Sequence, residues 1–351
     1  MFDLNRRTFL SLLAGAALAK SPLFAQEQAA APAQDGWRSR SIALLPEDRQ
    51  EKPPVVTAVR LQPAGHQLAT AGDDHLVWVW NFETGEPIHK LDAHADWVRT
   101  IDYSPDGRTL ATAGNDRQII FWDAAKGEKL QVFATHKEAI TMLAFAHDGA
   151  RLATVGFDDR LRIHDAGTGR VTRELTCSCR DMRAVAWSPD DARLVAGGRD
   201  GKLRVWNTAT GELEQEQSAH KQRIRTVVFS PDGKHIASSG EDRVVRVWKL
   251  DGGDQGFVLP DRSAKVLAIA FVSPDVLATA GTDNLVRLWD LASRTEIAKL
   301  AGHVGSVAAL IARDGMLVSG SFDTTVRVWT SERSVTKLGR RPSAGPAFDT
   351  K

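Results

Sequence analysis

Residues 94–123 read HADWVRTIDYSPDGRTLATAGNDRQIIFWD, and this stretch decides the fold. Val98 to Tyr103 alternates apolar and polar side chains, the pattern of a strand with one buried face. Ser104-Pro105-Asp106-Gly107 follows as a turn, in which proline presets φ and glycine takes conformations that other residues resist. Leu110 to Gly114 reads as a second strand of small residues, Asn115-Asp116 as a tight turn, and the third strand ends at Trp122. A turn at Lys126-Gly127 then leads to an outer strand, Lys129 to Phe133. Four strands this short cannot bury both faces of their sheet alone and must stack on neighbouring units.

The neighbours are present. Trp80, Trp122, His164, Trp206, Trp248, Trp289 and Trp329 close seven similar segments at intervals of 42, 42, 42, 42, 41 and 40 residues. A period of roughly 40–45 residues is that of a four-stranded propeller blade. The repetition also explains ten Trp beside a single Tyr, since one Trp is copied at a fixed position.

These residues resemble the WD-repeat (WD40) propeller family over about residues 40–339. Ser230-Pro231-Asp232-Gly233, Ile236 to Gly240 and Val245-Arg246-Val247-Trp248 follow its pattern nearly residue for residue, and Trp122-Asp123 and Trp289-Asp290 keep the dipeptide that names it. The resemblance implies an all-β, seven-bladed β-propeller with four antiparallel strands per blade. It also implies a structural network in each blade, linking a His, a Ser or Thr, a turn Asp and the Trp. Complete sets are His94, Thr112, Asp116, Trp122; His220, Ser238, Asp242, Trp248; and His303, Ser319, Asp323, Trp329. A carboxylate buried in a turn needs donors, and these side chains supply them. His, Ser and Asp together also suggest a hydrolase triad, but three equivalent copies argue for a structural role, since one active site needs one triad. No residue is assigned to catalysis.

Asp74, Asp158, Asp200 and Asp283 hold the turn position in the remaining blades, whose networks read as incomplete. Ser178 and Arg262 occupy the His position of the fourth and sixth blades, Ala196 replaces the hydroxyl in the fourth, and His164 replaces Trp in the third. The fourth blade is expected to be the least well fastened. Arg162, Arg204, Arg246, Arg287 and Arg327 each lie two residues before a closing position, a regularity that reads as shared packing within each blade and not as a nucleic-acid ladder. For the last blade's outer strand the chain offers Ser41–Leu45 or Ser334–Leu338. The first is favoured, because joining the chain ends removes a free sheet edge.

In the family, partners usually lie on the rim around the central channel, on loops before the inner strands and between second and third strands. Carried onto this chain, that rim comprises Trp97, Lys137, Ala139, Phe157, Cys179, Asp181, Arg199, Lys221, Arg223, Glu241, Lys265, Ser306 and Phe322. Aromatic side chains flanked by mostly basic charge are the make-up of a binding hot spot. The expected partner is an acidic peptide or protein segment, bound by a monomeric, non-enzymatic scaffold. The opposing reading is that Trp97, Phe157 and Phe322 pack over their own blades.

Lys plus Arg number 45 and Asp plus Glu 44, so no global field draws nucleic acid or an anionic membrane. Asn5-Arg6-Arg7-Thr8-Phe9-Leu10, the small apolar stretch Ser11–Ala19 and the exit at Ala25 have the parts of an export signal and resemble the bacterial twin-arginine type. Residues 1–25 are read as that signal, 26–39 as a flexible tether and 340–351 as a disordered tail. Removing the signal leaves 42 basic and 43 acidic residues, and left uncleaved it would act as a membrane tether. The only cysteines, Cys177 and Cys179, are the sole candidates for a metal or redox site. A disulfide across one intervening residue is strained and two thiols make a poor metal site, so no cofactor and no metal are expected. Two alternatives stay open: a periplasmic propeller carrying a metal or redox cofactor at those cysteines, and an intracellular scaffold whose Arg6-Arg7 is accidental.

Overall fold

The alternation in each inner strand and the small-residue second strand produce seven sheets of the same build. The structure, a computed structural model, describes residues 31–34, 36–43, 55–176, 181–250, 256–260 and 264–331. The second blade shows the pattern: Val98–Tyr103 innermost, then Thr109–Gly114, Ile119–Asp123 and Lys129–Phe133, all antiparallel. Five further four-stranded sheets repeat this order, and the inner strand of the last blade, Val307–Arg313, packs against that of the first, Val56–Leu61. The protein is therefore a closed, all-β, seven-bladed propeller, and no helix occurs among the described residues.

Its core lies between blades. Small second-strand residues such as Ala69, Ala111 and Ala153 are wholly buried and let consecutive sheets approach. Each apolar cluster joins two neighbouring blades: Ala69, Val77 and Val79 of the first pack with Ile101, Leu110 and Trp122 of the second. Burial of this kind contributes roughly 25 cal/mol for each Å² of apolar surface removed from water.

The chain ends meet in the seventh blade. Trp37–Ala43 pairs antiparallel with Thr325–Ser331, from Trp37 opposite Ser331 to Ala43 opposite Thr325. Ring closure thus uses the N-terminal strand, starting four residues before the expected Ser41. Ile42 on one face, only 2 % exposed, and Ser39 and Ser41 on the other are all buried, so both faces of this strand are covered. Leu44 and Leu45, and the alternative strand at 334–338, lie outside the described residues. The stretch read as a tether, 26–39, also differs: Ala31–Gln34 forms a further strand against Trp37–Ala43, which makes this sheet five-stranded. Its Ala- and Gln-rich composition hides the strand because the ladder is carried by backbone groups. The segments read as the signal, 1–25, and as the tail, 340–351, lie outside the described residues.

Every inner strand carries a register irregularity at its second residue, as between Val98 and Thr100 or Met182 and Ala184. Such a bulge leaves one residue out of the ladder and re-aims its side chain. Repeated around the ring, it governs the mouth of the channel.

Candidate partner-binding rim

The polar networks hold the loops that form the rim. In the second blade His94 Nδ1 lies 2.8 Å from Asp116 Oδ2 and His94 Nε2 lies 2.7 Å from Thr112 Oγ1, which accepts the Trp122 indole N–H at 3.0 Å. Asp116 also accepts the backbone N–H of Ala95 and Gln118, tying the loop before the inner strand to the turn after the second. Burial alone would raise the Asp116 pKa, but the hydrogen bond and charge of His94 outweigh it and hold the carboxyl below its usual value. The fifth blade places His220 at 3.0 Å from Asp242 and 2.9 Å from Ser238, with Trp248 at 3.4 Å. In the seventh, His303 lies 2.9 Å from Asp323 and 2.7 Å from Ser319, with Trp329 at 2.8 Å.

The third blade departs from the expectation of an incomplete network. His136 lies 3.0 Å from Asp158 and 2.7 Å from Thr154, and His164 takes the place of the indole at 2.9 Å from Thr154 Oγ1. The second nitrogen of His164 meets the Gly169 carbonyl at 3.3 Å. An imidazole thus fills a Trp site because both its nitrogens find partners. In the first and sixth blades Trp80 and Trp289 donate to Thr70 and Thr279 at 2.9 and 3.0 Å.

The fourth blade is fastened by another device. Arg204, whose side chain is 2 % exposed, reaches Asp200 at 2.6 Å and Glu216 of the outer strand at 2.7 Å. Burial disfavours its charge, yet those two carboxylates raise its pKa. Arg162 bridges Asp158 and Glu174 in the same way, and Arg287 bridges Asp283 and Glu296. These arginines are struts from the turn to the outer strand. Arg246 and Arg327 occupy the same position, but each has a buried Nε with no hydrogen bond among the described residues.

Above these networks one backbone hydrogen bond recurs at the rim. The N–H groups of Asn115, Phe157, Arg199, Glu241, Thr282 and Phe322 donate to the carbonyls of Trp97, Ala139, Asp181, Arg223, Lys265 and Ser306 at 2.9 to 3.1 Å. The two loops of each of these blades are thereby locked together, and their side chains stand on a rigid base. Trp97 and Phe322 are each 47 % exposed and Val304 is 84 % exposed. Lys137, Arg199, Lys221 and Lys265 are also exposed, on separate blades.

The structure joins Asp181, Arg223 and Glu241 into a chain of ion pairs. Asp181 holds Arg183 at 2.7 Å and Arg223 of the next blade at 2.8 Å, while Glu241 holds Arg223 at 3.4 Å and Arg225 at 3.5 Å. Phe157 is less than fully exposed because two guanidiniums lie against its ring, Arg99 at 5.4 Å and Arg183 at 4.7 Å from the centroid. Arg99 also donates to the Asn115 side chain. Burial and then the Arg183 charge pull the Arg99 pKa below the usual arginine value.

Arg99, Arg183 and Arg225 escaped the sequence reading because they are bulged residues, and a simple alternation does not show where a bulge points. The signal was available. Positions 99, 141, 183 and 225 are spaced by 42 residues, and three of the four are Arg. Around the mouth these three and Arg223 face the carboxylates of Asp96, Asp181 and Glu241.

Other candidate sites are less furnished. Cys177, Ser178, Cys179 and Arg262 lie outside the described residues. Among the described residues, no group of three or more His, Cys, Asp or Glu is placed to hold a metal ion. On the opposite face a cleft of about 370 Å³ lies between the second and third blades, lined by Ser104, Asp106, Phe121, Phe145 and Asp148 among others. Ser104 there donates to Asp106 at 2.6 Å as part of its turn, a bond that holds the Asp106 carboxyl below its usual pKa and makes it a weak base.

A closed ring of seven four-stranded blades, each centred on a buried aromatic or His anchor, defines a β-propeller of the repeat type. The description of the WD domain, G-beta repeat, matches residues 48–81, 85–123, 127–165, 169–207, 211–249 and 294–330, and the chain belongs to that family. Six repeats match where seven blades exist. The unmatched sixth blade carries Ser273-Pro274-Asp275-Val276, without the turn glycine, yet Val266–Ser273 to Thr295–Ala301 form a full sheet. Among curated relatives, Mitochondrial division protein 1 of Mycosarcoma maydis is 38 % identical over 82 residues, 23 % of this chain and 10 % of that protein. Its counterpart in Schizosaccharomyces pombe is 38 % identical over 74 residues, 21 % of this chain and 11 % of that protein. The U3 snoRNP-associated protein-like EMB2271 of Arabidopsis thaliana is 44 % identical over 70 residues, 19 % of this chain and 14 % of that protein. The chain spans about a tenth of the length of these relatives. Propellers of this family are typically protein-interaction scaffolds.

Proposed function

We propose that this protein is an exported, non-enzymatic scaffold whose channel mouth captures an acidic peptide or protein segment. The observation that carries the reading is the chain of ion pairs at the mouth, where Arg183, Arg223 and Arg225 share Asp181 and Glu241 while Arg99 is turned onto Phe157 beside them. Guanidinium groups spread in a fork suit carboxylates, and the exposed Trp97 and Phe322 supply apolar anchors. The export part rests on Arg6-Arg7 and the apolar stretch behind them.

Replacing Trp97, Arg223 and Lys265 together with Ala is expected to abolish partner capture by crosslinking in the producing cells while leaving the melting temperature within a few degrees. Capture at the wild-type level by the folded triple variant refutes the assignment. Fractionation of the same cells tests export: the protein is expected outside the cytoplasm, and Arg6→Lys/Arg7→Lys is expected to strand it inside.

A further inference from the structure

Within that reading, the mouth has one seat distinct from the rest of its basic charge. Arg99 and Arg183 come from blades on either side of the third blade, where the equivalent bulged residue is Thr141, with a hydroxyl that donates inward to the Met182 carbonyl at 2.7 Å. Thr141 is too short to reach the ring, and the two long side chains from the flanking blades both converge on Phe157. Two like charges are thus held near one aromatic ring. The ring face stabilises each cation, and mutual repulsion opposes the arrangement.

The remaining donors define what fits. Arg183 Nε is spent on Asp181 Oδ1 at 2.7 Å, and Arg99 Nε on Asn115, which is itself held by Asp96 at 3.3 Å. Arg183 Nη2 also donates to Asp181 Oδ2 at 3.5 Å, so Arg183 offers the mouth chiefly its Nη1, while both terminal nitrogens of Arg99 are left by the Asn115 amide. A group with two oxygens and one negative charge takes one guanidinium on each oxygen. A phosphate monoester brings a further oxygen and a second charge, and these would face Asp96 and Asp181.

We infer that Arg99 and Arg183, braced on Phe157, form a seat for a single carboxylate of an acidic peptide, with Trp97 beside it as the landing for an apolar residue. The inference rests on the acidic-partner reading above and assigns it to particular atoms. Trp97 precedes Arg99 by two residues, and its 47 % exposure sets apolar surface at the edge of this sector.

The test uses the full-length chain and a fluorescent acetyl-hexaglutamate peptide read by anisotropy, beside phosphoserine and hexalysine peptides of equal length. Hexaglutamate is expected to bind, with affinity lowered at least tenfold by Arg99→Gln or Arg183→Gln, and by Arg99→Lys, which keeps the charge but not the fork. Lys129→Gln, which removes an exposed cation of an outer strand, is expected to change it less than threefold. Tenfold losses in all the charge-removing variants, including Lys129→Gln, would mean a diffuse basic field, overturning the seat but leaving the acidic-partner reading intact. Tighter binding of the phosphoserine peptide would overturn the carboxylate assignment. Wild-type protein that binds neither anionic peptide would overturn the seat and the acidic-partner reading together. Unaltered melting of Arg99→Gln and of Phe157→Leu serves as the fold control, and Phe157→Leu is expected to weaken hexaglutamate binding by severalfold.

Discussion

Acidification should loosen the third blade, because His164 sits where the other six blades place Trp. The ring is 0 % exposed, and burial first, then the charges of His136 and Arg162, lower its pKa to about 4 against the Gly169 carbonyl that favours protonation. In the unfolded chain the same group titrates near 6.5. The folded value lies below the unfolded one, so the unfolded state takes up the proton first. The contribution is complete above about pH 6.5 and is lost as pH falls toward 4. At pH 5 the difference amounts to about 2 kcal/mol, and at still lower pH to about 3 kcal/mol. Asp158 of the same blade is depressed to about 2, from 3.8, so its own loss begins only below the His164 window. The assay is chemical denaturation at pH 7.5 and pH 5 for the wild type and for His164→Trp, whose indole would donate to Thr154 as Trp122 does to Thr112. The wild type should lose about 2 kcal/mol more than the variant. His220, whose pKa is also lowered mainly by burial, is common to both proteins and cancels. Equal losses in the two proteins would refute the role given to His164.

Three further outcomes follow from the same networks. Ser41 lies directly opposite Arg327, as Glu174 and Glu216 lie opposite Arg162 and Arg204, so Ser41→Glu should stabilise the closing blade by about 1 kcal/mol and lose that gain in an Arg327→Gln background; destabilisation with Arg327 intact would count against the strut. Ser319→Ala removes the shared partner of His303 and Trp329 and should cost about 1–3 kcal/mol, read as a lowered denaturation midpoint. Deleting residues 37–43 removes the strand that closes the ring, and a midpoint that does not fall sharply would show that another segment takes its place.

How much of this was readable beforehand depends on what kind of contact each residue makes. The 42-residue spacing of Trp122, His164 and Trp206 exposes the ring directly, because each blade must present the same anchor to its neighbour. Asp116, Thr112 and His94 were legible because a buried carboxylate has few ways to be satisfied. The third blade reads as incomplete in sequence because His164 stands where a Trp is expected, whereas a neutral imidazole that donates Nδ1–H to the Gly169 carbonyl can accept the Thr154 hydroxyl at Nε2. Trp37–Ala43 begins four residues before the Ser41 that local pattern suggests, since strand ends on a closing edge are fixed by the register with Thr325–Ser331. At the rim, Asp181, Arg223 and Glu241 could be located by position, but their pairing across blades could not. Arg99 and Arg183 required knowing that each inner strand bulges at its second residue.

In the proposed function the mouth formed by these loops, and not the opposite face or the outer strands, meets the partner. Photo-crosslinking in the producing cells tests it directly, with the photoreactive residue placed in turn at Trp97 and Phe322 on the rim, at Pro105 and Pro231 on the opposite face, and at Leu130 and Leu213 on outer strands. One discrete adduct is expected from the two rim positions, competed by hexaglutamate and absent from the other four. An adduct formed only from the opposite face or the outer strands would contradict it.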